Sequence, residues 1–547
     1  MSKFSGINEP EKWLLPAMLR EQAEQQADAP WLAVAGGPTL SFGQAWTEVQ
    51  RAATWFERSG VTPGEHVALM LPNSVDFVRA WLALGTLGAV AVLINTELKR
   101  DFLQHQLKNS GARLLLCHSS LVQTIEEALP GAPNIEMVVL CDAYSPSHHL
   151  SSYVQPFAPW FGASGWQCCP AVDRDLPDSR QISSVIYTSG TSGPAKGVLM
   201  PHRHCAAFAI NTSESMALTG EDRCYIVLPL FHAHGLLMQL GASLVQGMAA
   251  VMRERFSASA WLEDIRRYRI TATSVLGALG AFIEAQPQTP NDKNHSLRVL
   301  FNAPNVSAID RLFRERFGVR DIVSGYGMTE VNMCALGRCG SPRPGAAGWI
   351  LHDMFDVAVV DPLTDCELPH GQVGEIVVRP KIPFVFMQGY QGMPERTAEA
   401  TRNLWFHTGD SGVADADGLL TFIDRIKDTI RRRGENISAT EIEQVLAKLP
   451  GVAEVAAYAV PSPIPGGEDE VVLALVRANG PEGETLDSKA VYDFADKNLP
   501  RFARPRYLRF ISELPKTANG KVQRAVLRKD GTRSANDRGE LSRVSSD

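Results

Sequence analysis

The sequence predicts an α/β protein: a large N-terminal domain of parallel-sheet βαβ subdomains plus a β-rich subdomain, followed by a small α+β C-terminal domain. Three observations lead there. Short apolar runs alternate with helix-length segments from Trp31 to Cys117, the pattern of βαβ units. From Pro344 the chain turns to alternating strand patterns at 355–360 and 374–379, with a hairpin turn at Asp415-Ala-Asp-Gly418. After a basic run at 424–438, a stretch of about 100 residues reads as one compact helix-and-strand unit.

Taken in order, residues 11–35 read as an amphipathic helix (Trp13, Leu14, Met18, Leu19) and then a strand from Trp31. Ser41 is a plausible N-cap for a helix running to about Gly60. Residues 67–71 form a strand stopped by Pro72-Asn73, followed by a helix at 74–88 and a strand at 89–94. A helix at 101–110 and a strand at 114–117 continue the alternation. Beyond the basic run, helices are expected at 440–449 and 487–499, with strands at 452–460 and 470–476.

Composition narrows the class of function. A chain of 547 residues exceeds one ordinary core and implies two to four structural units. Its 45% hydrophobic and 21% charged residues are those of a soluble globular protein, and a net charge of −7 argues against bulk binding of nucleic acid. No apolar run approaches a membrane span, and the N-terminus lacks the apolar core of a secretory signal. Nine scattered cysteines without a Cys-x-x-Cys pair point to reduced thiols. A cytoplasmic location is expected, with homo-oligomerisation left open.

The chemistry concentrates in Tyr187-Thr-Ser-Gly-Thr-Ser-Gly-Pro-Ala-Lys-Gly197. Four hydroxyls (Thr188, Ser189, Thr191, Ser192), three glycines (Gly190, Gly193, Gly197) and Lys196 fall within ten residues after a buried strand. Glycines let backbone N–H groups approach a ligand closely, and hydroxyls and an ammonium add donors, which suits a polyphosphate. The bland alternative is a flexible surface loop. A Walker A loop is not met, because Lys196 is followed by Gly197 and not by Ser or Thr.

Five further segments stand out. Pro229-Leu-Phe-His-Ala-His234 places two histidines at i and i+2, which on a strand face one way, although no third ligand follows at metal spacing. Ser324-Gly-Tyr-Gly-Met-Thr-Glu330 reads as a strand at 321–323 opening into a tight loop with Thr329 and Glu330 presented to a ligand; a carboxylate beside phosphates suits Mg²⁺. Taken alone, Asp410 in Thr-Gly-Asp is a turn cap, the 424–438 basic run is a solvated face or anion patch, and Lys521 is an ordinary loop lysine.

Together these segments resemble the adenylate-forming superfamily of acyl-CoA synthetases, luciferases and peptide-synthetase adenylation domains, over about residues 30–530. The resemblance leans to the acyl-CoA synthetase branch, toward carnitine/crotonobetaine-CoA or aryl-CoA ligase-like members. It departs at Pro194, one place early in the loop, at Gly277-Ala-Leu-Gly280, where relatives show Gly-x-Pro, and at Asn302, where they show Gly.

The resemblance implies ATP, Mg²⁺ and CoA as ligands and a small carboxylic acid as substrate. It assigns the loop (Thr188, Ser189, Gly190, Thr191, Ser192, Gly193, Lys196) to phosphates, Tyr326 to adenine, Thr329 to the α-phosphate, Glu330 to Mg²⁺ and Asp410 to ribose. Arg425 would contact ribose or phosphate, and Gly434 would let the pantetheine arm of CoA pass, with Arg431, Arg432 and Arg433 drawing in its phosphates. His232, Asn302, Ala303, Pro304 and Gly327 would border the acyl pocket; His232 replaces the Asp of amino-acid-activating relatives, which argues against an α-amino acid. Lys427 would be the hinge between residues 1–426 and 427–530, with 531–547 a disordered tail, and Lys521 would stabilise charge in the adenylation step. The implied reaction is acyl-adenylate formation with release of pyrophosphate, then transfer to CoA. A stand-alone enzyme loading a carrier protein would carry the same motifs, and a non-catalytic nucleotide-binding homologue is disfavoured by the presence of Lys521, Glu330 and Asp410. Lys521→Ala is expected to abolish acyl-adenylate formation while sparing thioester formation from supplied adenylate; loss of both in single-turnover assays would contradict that division.

Overall fold

The structure, a computed structural model, describes residues 3–142, 160, 165–188, 194–276, 279–303, 307–425, 429–433, 435–464, 467–515, 522 and 524–539. A six-stranded sheet runs in the spatial order Met137–Leu140, Leu114–Cys117, His66–Met70, Val90–Leu93, Ile182–Thr188, Lys196–Pro201. Its first five strands pair in parallel, and the last pair is antiparallel. Every residue of Val90–Leu93 and Leu114–Cys117 is buried, as parallel strands covered on both faces require. A seven-stranded sheet follows the order Asp321–Val323, Val299–Ala303, Ala272–Leu276, Arg223–Ile226, Ala249–Met252, Pro30–Val34, Thr39–Ser41, parallel except for its last pair.

Helices fill the space between the two sheets. Val75–Leu87 is buried from Phe77 to Thr86, because it packs on strands of both sheets at once. Ser74 starts it, its Oγ accepting from Phe77 N at 3.2 Å, and Gly88 ends it at φ +75°. Ser41 caps Phe42–Arg58 in a reciprocal capping box with Gln44, as the sequence suggests. The Phe42, Trp81, Phe208 and Leu236 side chains meet in one core that joins both sheets.

The β-rich part is an antiparallel seven-stranded sheet in the order Gly325–Met328, Asn332–Leu336, Gly348–Ile350, Leu419–Arg425, Phe406–Ala414, Gly374–Pro380, Phe355–Val360. One expectation is corrected here: Gly325–Met328 is a hairpin strand and not a loop. Glycine alone permits it, since a Cβ on Gly327 would lie 2.3 Å from Asn332 O on the paired strand. The two histidines are also not on a strand. Arg223–Ile226 has ended before them, and His234 opens a π-helix, His234–Gly241.

The C-terminal part begins with the hairpin Thr429–Arg432/Glu435–Ser438 and continues as a four-stranded sheet, Val452–Pro461, Asp469–Arg477, Tyr507–Phe510 and Asn536–Asp537. Strand alternation puts Ala457 and Leu473 against helices Ala439–Leu446 and Ser488–Asn498. The opposite face, Ala456, Tyr458 and Val472, packs with Val522 and Leu527. Two expectations change. Within the expected disordered tail, Asn536–Asp537 is a strand that pairs with Tyr507–Phe510, and Asp537 accepts a hydrogen bond from Arg506. Arg432 is 2% exposed and pairs with Glu470 while donating to Phe502 O and Arg504 O, so it holds the small sheet together instead of facing CoA. Among the described residues, no helix is long and apolar enough to cross a membrane.

Candidate active site

A cavity of about 1240 Å³ opens where the three large sheets and the C-terminal hairpin converge. Thr188 and Lys196 face each other across the closing pair of their hairpin, and both line the cavity. The strand pair can close because Gly197 has no side chain: a Cβ there would meet Val185 Cγ1 at 2.9 Å.

Glu330 is the centre of the polar wall. It is 3% exposed, and its Oε1 accepts from Thr188 Oγ1 at 3.1 Å and from Tyr390 OH at 3.0 Å. Lys196 Nζ donates to Tyr390 OH at 3.1 Å and lies 4.1 Å from the centre of its ring. Burial, with the Glu330 charge beside it, drives the Tyr390 phenol far above its usual range, so it stays protonated and a donor. Neighbouring Thr329 is fixed through its carbonyl, which accepts from His204 Nε2 at 2.8 Å. A buried carboxylate bound by neutral donors, with phosphate-type donors next to it, fits a Mg²⁺ ion shared with phosphates; Glu330 would hold it.

Two more clusters adjoin. Tyr326 OH donates to Asp410 Oδ2 at 2.7 Å, and its ring stacks on Phe422 at 6.0 Å. Burial raises the Tyr326 phenol well above its normal pKa, helped by the Asp410 charge. Asp410 sits opposite Arg425 in the strand register. At the other side, His232 Nε2 donates to Glu435 Oε1 at 2.9 Å, and the same oxygen accepts from Asn95 Nδ2 at 3.1 Å. Burial alone would lower the His232 pKa, but the charge and hydrogen bond of Glu435 outweigh it and the net shift is upward. His234, lacking such a partner, is lowered to about 3 by burial, then by Arg431 and His232.

Thr188, Lys196, Gly327, Thr329, Glu330 and His232 thus share one cavity. Asn302, 2% exposed with Nδ2 lacking a hydrogen-bond partner, and Ala303 are not among its lining residues. Ser189, Gly190, Thr191, Ser192, Gly193, Pro304, Lys427, Gly434 and Lys521 lie outside the described residues. Sequence reasoning missed Tyr390, Asn95, Glu435 and Glu441 as site groups. For Glu435 the signal was present: an acid in a dense basic run, directly after Gly434. Tyr390 had none, since one tyrosine after a glycine is an ordinary turn.

A family model described as AMP-binding enzyme matches residues 19–390, and one described as AMP-binding enzyme C-terminal domain matches 441–521. The chain belongs to the AMP-binding enzyme family. A crotonobetaine/carnitine–CoA ligase of Escherichia coli O157:H7 is 30% identical over 491 residues, covering 88% of this chain and 91% of the relative. Among solved structures, o-succinylbenzoate CoA synthetase from Bacillus subtilis, bound with a product analogue, superposes with a TM-score of 0.78 at 26% identity, covering 95% of this chain and 99% of that one. ATP-bound MatB from Rhodopseudomonas palustris gives 0.66 at 25% identity, covering 95% and 99%. Tyr390→Phe, which deletes the hydroxyl between Lys196 and Glu330, is expected to lower kcat/KM for ATP about tenfold in a pyrophosphate-release assay. An unchanged value would remove Tyr390 from the site.

Proposed function

We propose that this cavity joins a carboxylic acid to ATP, giving an acyl-adenylate and pyrophosphate, and then passes the acyl group to the thiol of CoA. What carries this reading is the convergence of Thr188, Lys196, Glu330 and His232 on one cavity in a chain of the AMP-binding enzyme family. A carboxylate cannot be attacked directly by a thiol, because its leaving group would be an oxide. Its oxygen instead bonds to the α-phosphorus, and the bond to the β-phosphate oxygen breaks, the electron pair leaving with pyrophosphate. The thiolate of CoA then bonds to the acyl carbon, and the C–O bond breaks with AMP as leaving group.

The protein's task in the first step is to position two anions and offset their charge. Lys196 and the hairpin's N–H groups hold the phosphates, Thr329 faces the α-phosphate, and Asp410 takes the ribose hydroxyls, with Arg425 beside it on the next strand. Glu330 would hold Mg²⁺, which when bound would offset the charge of the phosphates. Lys521 adds a cation at the reacting phosphate. His232 orients the acid's carboxylate; its hydrogen bond to Glu435 belongs to the docked arrangement of the C-terminal part.

The arrangement of the C-terminal part favours the second step. Arg431, Arg433, Glu435 and Ile437 of its hairpin line the cavity. Val522 and Arg524, which follow Lys521, pack within the C-terminal part: Val522 in the Tyr458 cluster and Arg524 on Glu443 at 2.7 Å. As the resemblance implies, residues 427–530 turn as a unit against 1–426 between the two steps, with Lys427 at the hinge.

The acyl end is lined by Val227, Leu228, Phe231, Met238, Leu276 and Phe282. We take an uncharged acid with an apolar or aryl body as the leading substrate class. A betaine-like acid is the second reading, favoured by the aromatic faces of Phe231, Phe256 and Phe282, which suit a quaternary ammonium, and by the name of the curated relative. The test is pyrophosphate release from ATP, Mg²⁺ and CoA with short-chain, medium-chain, aryl, dicarboxylic and betaine-like acids, with products identified by mass. One acid class giving both pyrophosphate and acyl-CoA is the expected result. Pyrophosphate without acyl-CoA would point to a carrier protein as acceptor, and silence across the panel would contradict the reaction.

A further inference from the structure

The two histidines of Pro229-Leu-Phe-His-Ala-His234 are held in opposite states. His232 Nε2 donates to Glu435, whose charge outweighs burial and shifts that imidazole's pKa upward. The His234 ring makes no hydrogen bond with any described residue, and its Nε2 is buried without a partner. Burial, then the charges of Arg431 and His232, lowers its pKa to about 3, so the ring is neutral wherever the protein works. His234 nevertheless borders the cavity. Its ring stands edge-to-face with that of buried Phe301, 5.1 Å between centroids and 70° between planes. The backbone that seats it is folded on itself, with His232 N donating to Pro229 O at 3.3 Å and Leu236 N to His232 O at 3.1 Å.

A buried nitrogen without a partner destabilises the fold. Packing on Phe301 alone would be served as well by an apolar ring, without that cost. The wall around His234 sharpens the contrast. Met238, four residues on along the same π-helix, belongs to the apolar acyl end with Val227, Leu228 and Phe282. Asn73, the polar side chain beside Leu228, is already engaged: its Nδ2 donates to Leu228 O at 3.0 Å and Arg253 O at 3.1 Å, and its Oδ1 accepts from Leu230 N at 2.8 Å. His234 therefore brings an unused hydrogen bond to an otherwise apolar surface.

We propose that His234 sets the chemical class of the acid: the substrate carries a hydroxyl on an otherwise apolar, uncharged body, and that hydroxyl bonds a ring nitrogen of His234 while the carboxylate lies at His232. This deepens the reading of the cavity as the site of acid activation and rests on it. A neutral imidazole presents one N–H donor and one bare nitrogen, and a hydroxyl both donates and accepts, so it satisfies either. Rotation about the Cβ–Cγ bond decides which nitrogen meets it. A quaternary ammonium has neither a proton to donate nor a lone pair, so it would leave the ring unpaired, and the charge of Arg431 opposes it. A second carboxylate would be buried against a ring that carries no charge, which is costly. Two residues of chain span at most about 7 Å, which keeps the backbones of the carboxylate's histidine and the hydroxyl's histidine within the length of one small acid.

The test compares acids matched except for one hydroxyl: phenylalkanoic acids with their hydroxyphenyl counterparts, and alkanoic acids with their hydroxyalkanoic counterparts. The full chain is assayed with MgATP by pyrophosphate release. In the wild type, kcat/KM for a hydroxylated acid exceeds that of its counterpart by about tenfold or more, the size of effect one hydrogen bond to a buried group gives. His234→Leu brings the ratio within that pair to about one and leaves the KM for ATP within about twofold of wild type. His234→Gln, which keeps a donor and an acceptor, retains part of the preference and decides the matter if His234→Leu does not fold. A structural role for His234 would instead lower both acids of a pair together and leave their ratio unchanged, and that outcome overturns the proposal. So does a wild type that shows no preference for the hydroxyl in any pair, or that works on a betaine-like acid better than on any hydroxylated one. Pyrophosphate release with the unsubstituted acids alone would overturn this assignment and leave the activation reaction standing, whereas release with no acid would overturn both.

Discussion

The buried carboxylate of Glu330 is the constraint around which the rest of the molecule is arranged. An ionised carboxylate at 3% exposure is costly unless its oxygens are satisfied, and each partner it finds comes from a different part of the chain. Thr188 ends a strand of the six-stranded sheet, Glu330 follows the hairpin strand of the antiparallel sheet, and Tyr390 lies beyond Gly374–Pro380. The same tyrosine bridges to Val198 and receives Lys196. The hydrogen bonds that make this acid tolerable also hold the three pieces in register. A hydrogen bond to a charged group contributes about 1.5–3 kcal/mol, so losing one partner loosens the wall as well as the site.

On either side of that wall the cavity has two characters. Toward Thr188, Lys196 and Thr329 it offers donors and a cation, the chemistry of a phosphate chain. Toward Val227, Phe231, Met238 and Phe282 it is apolar, the chemistry of an acyl body. His232 stands at the junction, where a carboxylate belongs. The C-terminal hairpin completes the enclosure with Glu435 and the arginines 431 and 433.

Much of this was legible in the sequence, for local reasons. Strand and helix identity in the first 120 residues follows from periodicity and from caps such as Ser41 and Ser74, which act within four residues. The loop after Tyr187, the Gly-Tyr-Gly-Met-Thr-Glu segment and Thr-Gly-Asp announce themselves by density of functional groups. What escaped depends on long-range pairing. Tyr390 meets Glu330 across 60 residues and Glu435 meets His232 across 203, and no local pattern records either. Arg432 was misread because a basic run carries no sign of which member points inward; strand alternation buries it while Arg431 beside it stays exposed. The Gly325–Met328 hairpin was taken for a loop because glycines flank Tyr326, and there they serve close strand approach instead.

The account stands on one claim: that acid and ATP react in this cavity before any thiol takes part. Acid-dependent exchange of labelled pyrophosphate into ATP, measured without CoA, addresses it most directly. Exchange that requires the acid and Mg²⁺ but not CoA is the result this arrangement of Glu330, Lys196 and His232 demands. Exchange that appears only when CoA is added, or ATP cleavage yielding ADP and phosphate, would contradict it.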